Sequence, residues 1–355
     1  MKAAVVGIEA RGPVLGSLQE VCAEHRVPSM EARIAELRRF LEADLAGIEV
    51  DLAALEERPT PMHLSARHLV KSGGKRLRPM CVALAARVGA GFDARARDLA
   101  VAAELVHSAT LLHDDVVDVG DRRRGEPSAR VLYGNAASVF AGDWLLVEAL
   151  MRVRRTGLGD VLERALGVLA EMLEGEALQL ARRGRIDATM DDYLRVVRGK
   201  TASLFRWAMY AGARAGSLEP GDCEALEGFG AKLGVAFQVV DDVLDVDGEA
   251  SLLGKELLGD LREGKLTYPL LVALERRPSL RVELGEALSG EAVELSPELA
   301  RRAAQAMKET GACEEGRAYA ERLLREAVSS LRGLPERPAV QALETVAQTI
   351  ASRRS

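Results

Sequence analysis

Residues 107–118 read HSATLLHDDVVD, and residues 234–245 read GVAFQVVDDVLD. Each stretch is an apolar run with helical period that ends in the same pattern, Asp-Asp-Val-x-Asp. Aspartates four residues apart share one face of a helix, so each stretch predicts a helix that ends in a cluster of carboxylates. Because the stretches lie far apart in the chain, we expect two separate helices whose clusters face each other across a cavity.

The two clusters contain six aspartates: Asp114, Asp115, Asp118, Asp241, Asp242 and Asp245. Carboxylates at such spacing repel one another unless a cation lies between them. Mg²⁺ takes oxygen ligands and bridges one or two carboxylates to the phosphates of a substrate. One such cluster alone could be a charged helix end beside a loop. Its repetition favours a cleft that holds a polyphosphate through Mg²⁺.

A glycine-rich basic segment, GGKRLRP, occupies residues 73–79. Its glycines let the backbone approach a ligand, and arginine binds phosphate through a planar pair of hydrogen bonds. We expect Lys75, Arg76 and Arg78 to supply positive charge to an anion. An isolated segment of this kind would more often be a solvated turn.

Basic residues also follow each aspartate cluster. The segment RRRG at 122–125 comes directly after the first cluster, and two Gly-Lys pairs, ending at Lys255 and Lys265, come after the second. This alternation of carboxylates and cations is what a magnesium diphosphate would require, with the metal on one side and guanidinium or ammonium groups on the other.

The chain resembles the all-trans polyprenyl diphosphate synthases, in particular their long-chain, octaprenyl-type branch. The matching segments run in family order: GGKRLRP at 73–79, HSATLLHDDVVD at 107–118, RRG at 123–125, GNAASVFAGDW at 134–144, GEALQL at 175–180, GKTASLF at 199–205, GVAFQVVDDVLD at 234–245 and DLREGKLTYPL at 260–270. Two departures are Leu258, where the family usually has glycine and Gly259 follows instead, and Tyr268, where leucine is common.

The resemblance implies an enzyme that joins isopentenyl diphosphate to an allylic diphosphate with Mg²⁺, three ions being bound together with substrate. The C–O bond of the allylic diphosphate breaks, the isopentenyl double bond attacks the resulting cation, and the departing diphosphate takes the proton that is lost. The resemblance further implies an all-α isoprenoid-synthase bundle around a central cavity, assembled as a homodimer.

The resemblance also implies roles for individual residues. It assigns binding of isopentenyl diphosphate to Lys75, Arg78, His107 and Arg124, with Gly74 in the same substrate-binding segment. It assigns the allylic diphosphate and the cation to six residues: Arg123, Lys200, Thr201, Gln238, Lys255 and Lys265. The expected catalytic set is Asp114, Asp118, Asp241, Lys200, Thr201 and Gln238. Neutral oxygens such as those of Thr201 and Gln238 stabilise a cation without trapping it.

Three aromatic side chains near these motifs need a choice between binding and packing. His107 precedes Asp114 by seven residues, so at about 100° per residue the two lie within about 20° of each other on the helix. We therefore expect His107 to face the site. His113 lies about 100° off that face, and we expect it and Trp207 to be structural.

The helix that carries the first cluster is also expected to line a hydrocarbon tunnel. Thr110, Val106 and Ala103 follow the aspartate face upstream at spacings near one turn, and Ala109 lies beside them. Short-chain members of the family often carry aromatic rings at positions 109 and 110, so these small residues predict a long product. Small residues could instead simply permit close helix packing. On the next helix, Trp144 and also Met151 could form the tunnel floor or belong to the core.

Composition limits the class of protein. The 355 residues are 48% hydrophobic but only 4% aromatic, and the apolar residues are mainly Ala, Leu and Val, which favours packed helices. The net charge of −6 argues against nucleic-acid binding. No apolar run reaches membrane-spanning length, and no signal peptide is evident. Four scattered cysteines are typical of reduced thiols in a cytoplasmic protein.

The apolar periodicity predicts helix after helix from residue 29. The longer predicted spans are 29–57, 94–118, 128–154, 158–182, 190–213 and 221–246. We expect residues 29–355 to form a single helical domain and residues 1–28 to be a loosely attached extension.

Four alternatives remain open from the sequence. A terpene cyclase would need neither GGKRLRP nor a second complete aspartate cluster, and a non-catalytic subunit of a heteromeric synthase would be expected to lack some aspartates or cations. A short-chain (farnesyl or geranylgeranyl) synthase differs only in the tunnel. A helical metal-binding scaffold would not require all the motifs together.

Overall fold

The computed structural model describes residues 28–56, 58–247, 258–288 and 295–353. The first helices are α1 (Pro28–Ala53), α2 (Pro61–Lys71), α3 (Leu77–Val88), α4 (Ala94–Val117), α5 (Ala129–Tyr133), α6 (Asn135–Arg155) and α7 (Gly159–Arg182). They are followed by α8 (Met190–Val197), α9 (Ser203–Ala215), α10 (Pro220–Asp247), α11 (Gly259–Arg262), α12 (Tyr268–Arg276), α13 (Pro278–Leu288), α14 (Pro297–Glu309), α15 (Ala312–Ser330) and α16 (Pro338–Ser352). A π-helical turn at Arg198–Ala202 joins α8 to α9.

Side-chain caps fix the starts of several helices. Asp93 accepts a hydrogen bond from the backbone N–H of Ala96 and so begins α4. At the start of α8, Thr189 and Asp192 form a reciprocal capping box. α4 carries predicted site residues and α8 adjoins them. These local caps therefore help to fix where the helices of the site begin.

The centre of the bundle is built from small side chains. Ala100, Ala102, Ala103 and Ala109 of α4 are fully buried, which lets neighbouring helices approach closely. α4 packs along α6, while α10 packs against α9 on one side and α15 on the other. This arrangement brings the C-terminal parts of α4 and α10 towards one cavity.

The predicted all-α class is confirmed, since the described residues are overwhelmingly helical. The only strands in the part of the chain that the structure describes are β1 (Arg122–Arg123) and β2 (Glu126–Pro127), which pair antiparallel. The predicted extension at 1–28 lies outside the described residues except for Pro28, which begins α1, and the single domain stays a prediction. No helix among the described ranges is long and apolar enough to cross a membrane. Cys81, Cys223 and Cys313 are buried and form no disulfide bond.

The prediction of one helix over 128–154 was wrong. Gly134 separates α5 from α6 because its φ of 87° lies outside the helical region. The helix predicted over 190–213 also differs, because the π-helical turn interrupts it. A single π-helical turn changes the apolar periodicity of a sequence too little to be noticed. Such turns often occur at functional sites.

Close backbone contact accompanies the π-helical turn. A Cβ added to Gly175 of α7 would lie 2.9 Å from the backbone nitrogen of Lys200, and one added to Gly199 would lie 2.6 Å from the carbonyl oxygen of Glu171. No side chain fits between the two segments. The main chain of α7 therefore sets the position of Lys200 and Thr201.

Candidate active site

The first aspartate cluster ends α4, where lysines and arginines from other elements contact it. Lys200 Nζ lies 3.3 Å from Asp114 Oδ2, and Lys265 Nζ lies 2.7 Å from Asp118 Oδ2. Arg183 adds a second cation 3.4 Å from Asp118. The structure thus joins predicted metal ligands to predicted diphosphate-binding cations.

Asp115 is more deeply buried than Asp114 and Asp118. Its side chain is fully buried, and Arg123 contacts Oδ1 at 2.5 Å. Its other carboxylate oxygen, Oδ2, is buried without a hydrogen-bond partner among the described residues. Burial raises the pKa of Asp115, while the charge of Arg123 opposes that rise.

The second cluster lies in the last turns of α10. Asp241 forms an ion pair with Arg353 at 2.6 Å. Asp242 is buried and accepts hydrogen bonds from the hydroxyl of Tyr193 (2.7 Å), the side-chain amide of Gln238 (2.9 Å) and the backbone N–H of Tyr268 (3.2 Å). Burial, reinforced by the nearby Asp260, raises the pKa of Asp242 to about 7.

Asp260 of α11 joins the second cluster, and it begins the matched segment DLREGKLTYPL without having been assigned a role. Burial, and next the charge of Asp245, raise its pKa to about 6, whereas Lys265 opposes the rise. Lys265 therefore lies near both Asp118 and Asp260 and links the two clusters. The predicted site residue Lys255 lies outside the described residues.

The carboxylates fit a magnesium site by their chemistry and access. The side chains of Asp114, Asp118 and Asp241 are 19%, 12% and 36% exposed and can reach a ligand, whereas Asp115 and Asp242 are buried behind them. Within the described ranges no three metal-ligating side chains already converge on one point, since cations occupy the gaps. Oxygen donors of this kind, some exposed, suit a metal that keeps waters and shares substrate phosphates.

An arginine and histidine pocket adjoins the first cluster. The guanidinium of Arg78 lies 4.7 Å from the ring centre of Phe205. The pKa of His107 falls well below its usual value because of burial and then the charges of Arg78 and Arg124. Arg124 packs on Gly74, where an added Cβ would lie 2.7 Å from Nη2. These predicted isopentenyl diphosphate residues are therefore neighbours.

Two residues of the segment 73–79 differ in their surroundings. Lys75 is exposed and lines a separate small cavity with Arg353. Arg76 was expected to face an anionic ligand, and this expectation was wrong. It is buried and forms ion pairs with Glu49 and Glu104, at 2.7 Å and 2.6 Å, so its charge is already neutralised.

The predicted cation-stabilising residues lie together. The hydroxyl of Thr201 donates a hydrogen bond to Oε1 of Gln238 at 2.9 Å. Both line the same cavity as Lys200, Asp242 and Lys265. The π-helical turn supplies Thr201 and α10 supplies Gln238.

The predicted tunnel residues occupy two environments. Ala103, Val106 and Ala109 are buried, and Thr110 is half-buried with its hydroxyl bonded to the carbonyl of His107 at 2.8 Å. Their position on α4 leaves their role in chain length a prediction.

The two candidates for the tunnel floor also differ in how far they are exposed. Trp144 is half-buried and packs on His63, with ring centres 4.8 Å apart. Met151 is 47% exposed on α6, so the expectation that it forms floor or core was wrong.

His113 and Trp207, which we expected to be structural, contact residues on other helices. His113 Nε2 lies 3.2 Å from the carbonyl oxygen of Val139 and 3.3 Å from Asp143. Trp207 is buried and donates to the carbonyl of Val161 at 3.0 Å. Both side chains hold helices together.

Five residues of the site were missed: Glu176, Arg183, Tyr193, Asp260 and Arg353. Glu176 binds Lys200 at 2.7 Å, and its segment GEALQL had been matched without a role. Asp260 likewise begins a matched segment and was given no role. Arg183, Tyr193 and Arg353 are distant in sequence from the motif residues they contact, so no spacing could have indicated them.

Comparison with known proteins agrees with this geometry. A family model described as polyprenyl synthetase matches residues 60–306. The octaprenyl diphosphate synthase of Escherichia coli (strain K12) is 35% identical over 329 residues, which cover 90% of this chain and 99% of that protein. A short chain isoprenyl diphosphate synthase of Methanothermobacter thermautotrophicus is 34% identical over 299 residues, covering 83% and 91%.

A solved structure extends the likeness to the whole bundle. The polyprenyl synthase from Caulobacter crescentus CB15, complexed with calcium and isoprenyl diphosphate, superposes with a TM-score of 0.84 at 36% identity, covering 90% of this chain and 97% of that one. The predicted isoprenoid-synthase bundle is thereby confirmed. The chain belongs to the polyprenyl synthetase family and is an all-trans prenyltransferase.

Proposed function

We propose that this chain condenses isopentenyl diphosphate with an allylic diphosphate, in the presence of Mg²⁺, to give a long all-trans polyprenyl diphosphate. The observation that carries the proposal is the meeting of both aspartate clusters, through Lys200 and Lys265, at one cavity beside the arginine and histidine pocket. Carboxylates on one side and fixed cations on the other match a metal-bound diphosphate.

Asp114, Asp118 and Asp241, with Asp245 beside them, would hold Mg²⁺, and up to three ions would be bound together with substrate. When bound, the metal would supply neutralising charge to the diphosphate leaving group and a template for its orientation. The calcium in the Caulobacter crescentus protein supports a divalent site in this fold. For Asp115 and Asp242, which are buried, we propose that they support the neighbouring ligands.

The chain's own cations bind and orient the two diphosphates. Arg78, His107 and Arg124 form the isopentenyl side, with Lys75 at its edge. Burial and the nearby arginines lower the pKa of His107, which favours a neutral ring that forms a hydrogen bond without adding charge.

Lys200 and Lys265 lie on the allylic side with Arg123 nearby, and each is already paired with a carboxylate. These cations can turn to the departing diphosphate while the C–O bond breaks. The oxygens of Thr201 and Gln238 lie where they can stabilise the allylic cation. The double bond then attacks, and the released diphosphate accepts the proton.

Small side chains on α4 support a long product. Ala109 and Thr110 place no ring between the aspartates and the deeper residues Val106 and Ala103. The octaprenyl-type relative agrees with this, while the short-chain relative keeps a farnesyl or geranylgeranyl product as the second candidate.

An apolar surface on α6 and α7 supports a homodimer. Large side chains between 47% and 71% exposed share these two helices: Phe140, Val147, Met151, Leu166, Leu173 and Leu180. Large apolar side chains exposed together on two consecutive helices are typical of an interaction site. Sedimentation of the chain and of Leu173→Asp tests the dimer, since the variant should become monomeric.

The test of the reaction is direct. The purified chain is incubated with Mg²⁺, isopentenyl diphosphate and allylic starters of different length, and the products are dephosphorylated and separated by chain length. Products longer than C20 support the proposal. Products of C15–C20 favour the short-chain candidate, a cyclic hydrocarbon formed without isopentenyl diphosphate indicates a terpene cyclase, and no product from the chain alone indicates a non-catalytic subunit.

A further inference from the structure

Tyr193 of α8 is buried beside the second cluster and is not used by the mechanism above. Its hydroxyl donates to Oδ2 of Asp242 at 2.7 Å, and the backbone N–H of Tyr268 donates to the same oxygen at 3.2 Å. The rings of the two tyrosines pack edge to face, with centres 5.9 Å apart. One oxygen of Asp242 is thus fixed from two directions, which leaves Oδ1 to face Gln238.

The fixed carboxylate determines how the Gln238 amide is turned. The amide NH₂ of Gln238 donates to the remaining oxygen, Oδ1 of Asp242, at 2.9 Å. Oε1 must then point the other way, where it accepts the Thr201 hydroxyl proton at 2.9 Å. Because that proton is committed to Gln238, lone pairs of both oxygens remain for the cavity that the two residues line.

We propose that Tyr193 is a positioning residue for prenyl transfer: through Asp242 it turns the Gln238 amide so that Gln238 and Thr201 present oxygens, and not NH₂, to the allylic cation. The inference rests on the proposed function. Without the tyrosine hydroxyl, Asp242 keeps one donor on Oδ2 and can rotate, which frees the amide to turn. An NH₂ group facing the cavity opposes formation of a cation there. The diphosphates are held by other residues, so their binding is unaffected.

The test compares Tyr193→Phe with a matched control, Tyr210→Phe. Tyr210 also donates to an aspartate at 2.7 Å, but to Asp160, away from the site. At pH 8 we expect Tyr193→Phe to lower kcat about tenfold, with both KM values unchanged, since removal of a direct donor costs about 10²–10³ and this effect is indirect. The control should keep the wild-type kcat. An unchanged kcat in Tyr193→Phe, with active wild type, overturns the inference.

A double-mutant cycle separates positioning from general support of the fold. If Tyr193 acts through Gln238, the effect of Tyr193→Phe on kcat disappears in a Gln238→Leu background. The same fold-change in both backgrounds would show that the hydroxyl only supports the structure. Circular dichroism checks folding.

If Tyr193→Phe does not fold, Asp242→Asn tests the same relay. The Asn Nδ2 would face Gln238 and turn its amide round, and the same loss in kcat at constant KM is expected. Wild type without prenyl transfer would instead refute the proposed function.

Discussion

The same five-residue pattern ends α4 and α10, yet its second aspartate has different partners in the two places. Asp115 of α4 is buried against the charge of Arg123. Asp242 of α10 is equally buried but accepts hydrogen bonds from neutral groups, and its pKa is raised to about 7. The second aspartate is balanced by an ion pair in the first cluster and by hydrogen bonds in the second. Equal sequence motifs therefore give unequal electrostatics, because the partners come from elsewhere in the chain.

The largest expected effect tests whether both clusters supply carboxylates to the metal-bound diphosphate. Asp114→Ala and Asp241→Ala should each lower kcat by roughly 100-fold or more, because each removes a carboxylate that can reach the metal-bound diphosphate. Both side chains are partly exposed, so helical circular dichroism should stay unchanged. Asp187→Ala removes an exposed ion pair with Arg185 and serves as control. Near-normal turnover in both site variants would refute the two-cluster model.

The next prediction concerns product length, which we expect α4 to control and α10 not to control. Each added isoprene unit buries five carbons, worth roughly 0.8 kcal/mol each, until the chain meets a wall. Replacing Ala109 or Thr110 with Phe should place a ring about one turn from Asp114 and shorten the product to about C15–C20. The initial condensation rate should largely survive because the diphosphate groups are untouched. Chromatography of dephosphorylated products measures the shift, and a long product from both variants would contradict it.

A smaller effect is expected in the pocket beside the first cluster. Arg78→Ala and Lys75→Ala should each weaken isopentenyl diphosphate binding by about 1.5–3 kcal/mol, the value of one charge-assisted contact. The KM of each substrate is measured separately, with Lys71→Ala as a nearby exposed control. A rise in the allylic KM alone would mean that the two pockets have been assigned the wrong way round.

The smallest expected effect concerns how the second cluster responds to pH. The folded pKa of Asp242, about 7, lies above its ordinary 3.8, so the folded state binds the proton more tightly. Its contribution to the free energy of unfolding is therefore present below pH 4 and is lost as pH rises towards 7. In metal-free buffer, Asp242→Asn should thus gain stability relative to wild type over this window. Chemical unfolding at several pH values measures the difference, and a constant difference would contradict the assignment.

Much of the fold could be predicted because it depends on local signals. Apolar periodicity located the helices, and the spacing of Asp114 and Asp118 placed carboxylates on one helix end. Gly134 was overlooked because helical period continues on both sides of it. Only its positive φ, which a sequence does not show, separates α5 from α6.

The site could be predicted as a set of motifs but not as a set of contacts. Arg76 belongs to the same segment as Arg78, yet Glu49 and Glu104 hold it in the core. Arg353 reaches Asp241 across more than a hundred residues of sequence. Such pairs depend on how helices pack, and no local pattern encodes that.

The backbone contact between Gly175 and the π-helical turn has a consequence for how this enzyme can vary. Because main chain rests on main chain there, the backbone of Lys200 and Thr201 is held close to α7 whatever side chains lie on α4. Residues along α4 can therefore change in size, and so alter what the cavity accepts, without displacing the groups that perform the chemistry. Substrate range can evolve separately from the catalytic step, provided that both glycines are kept.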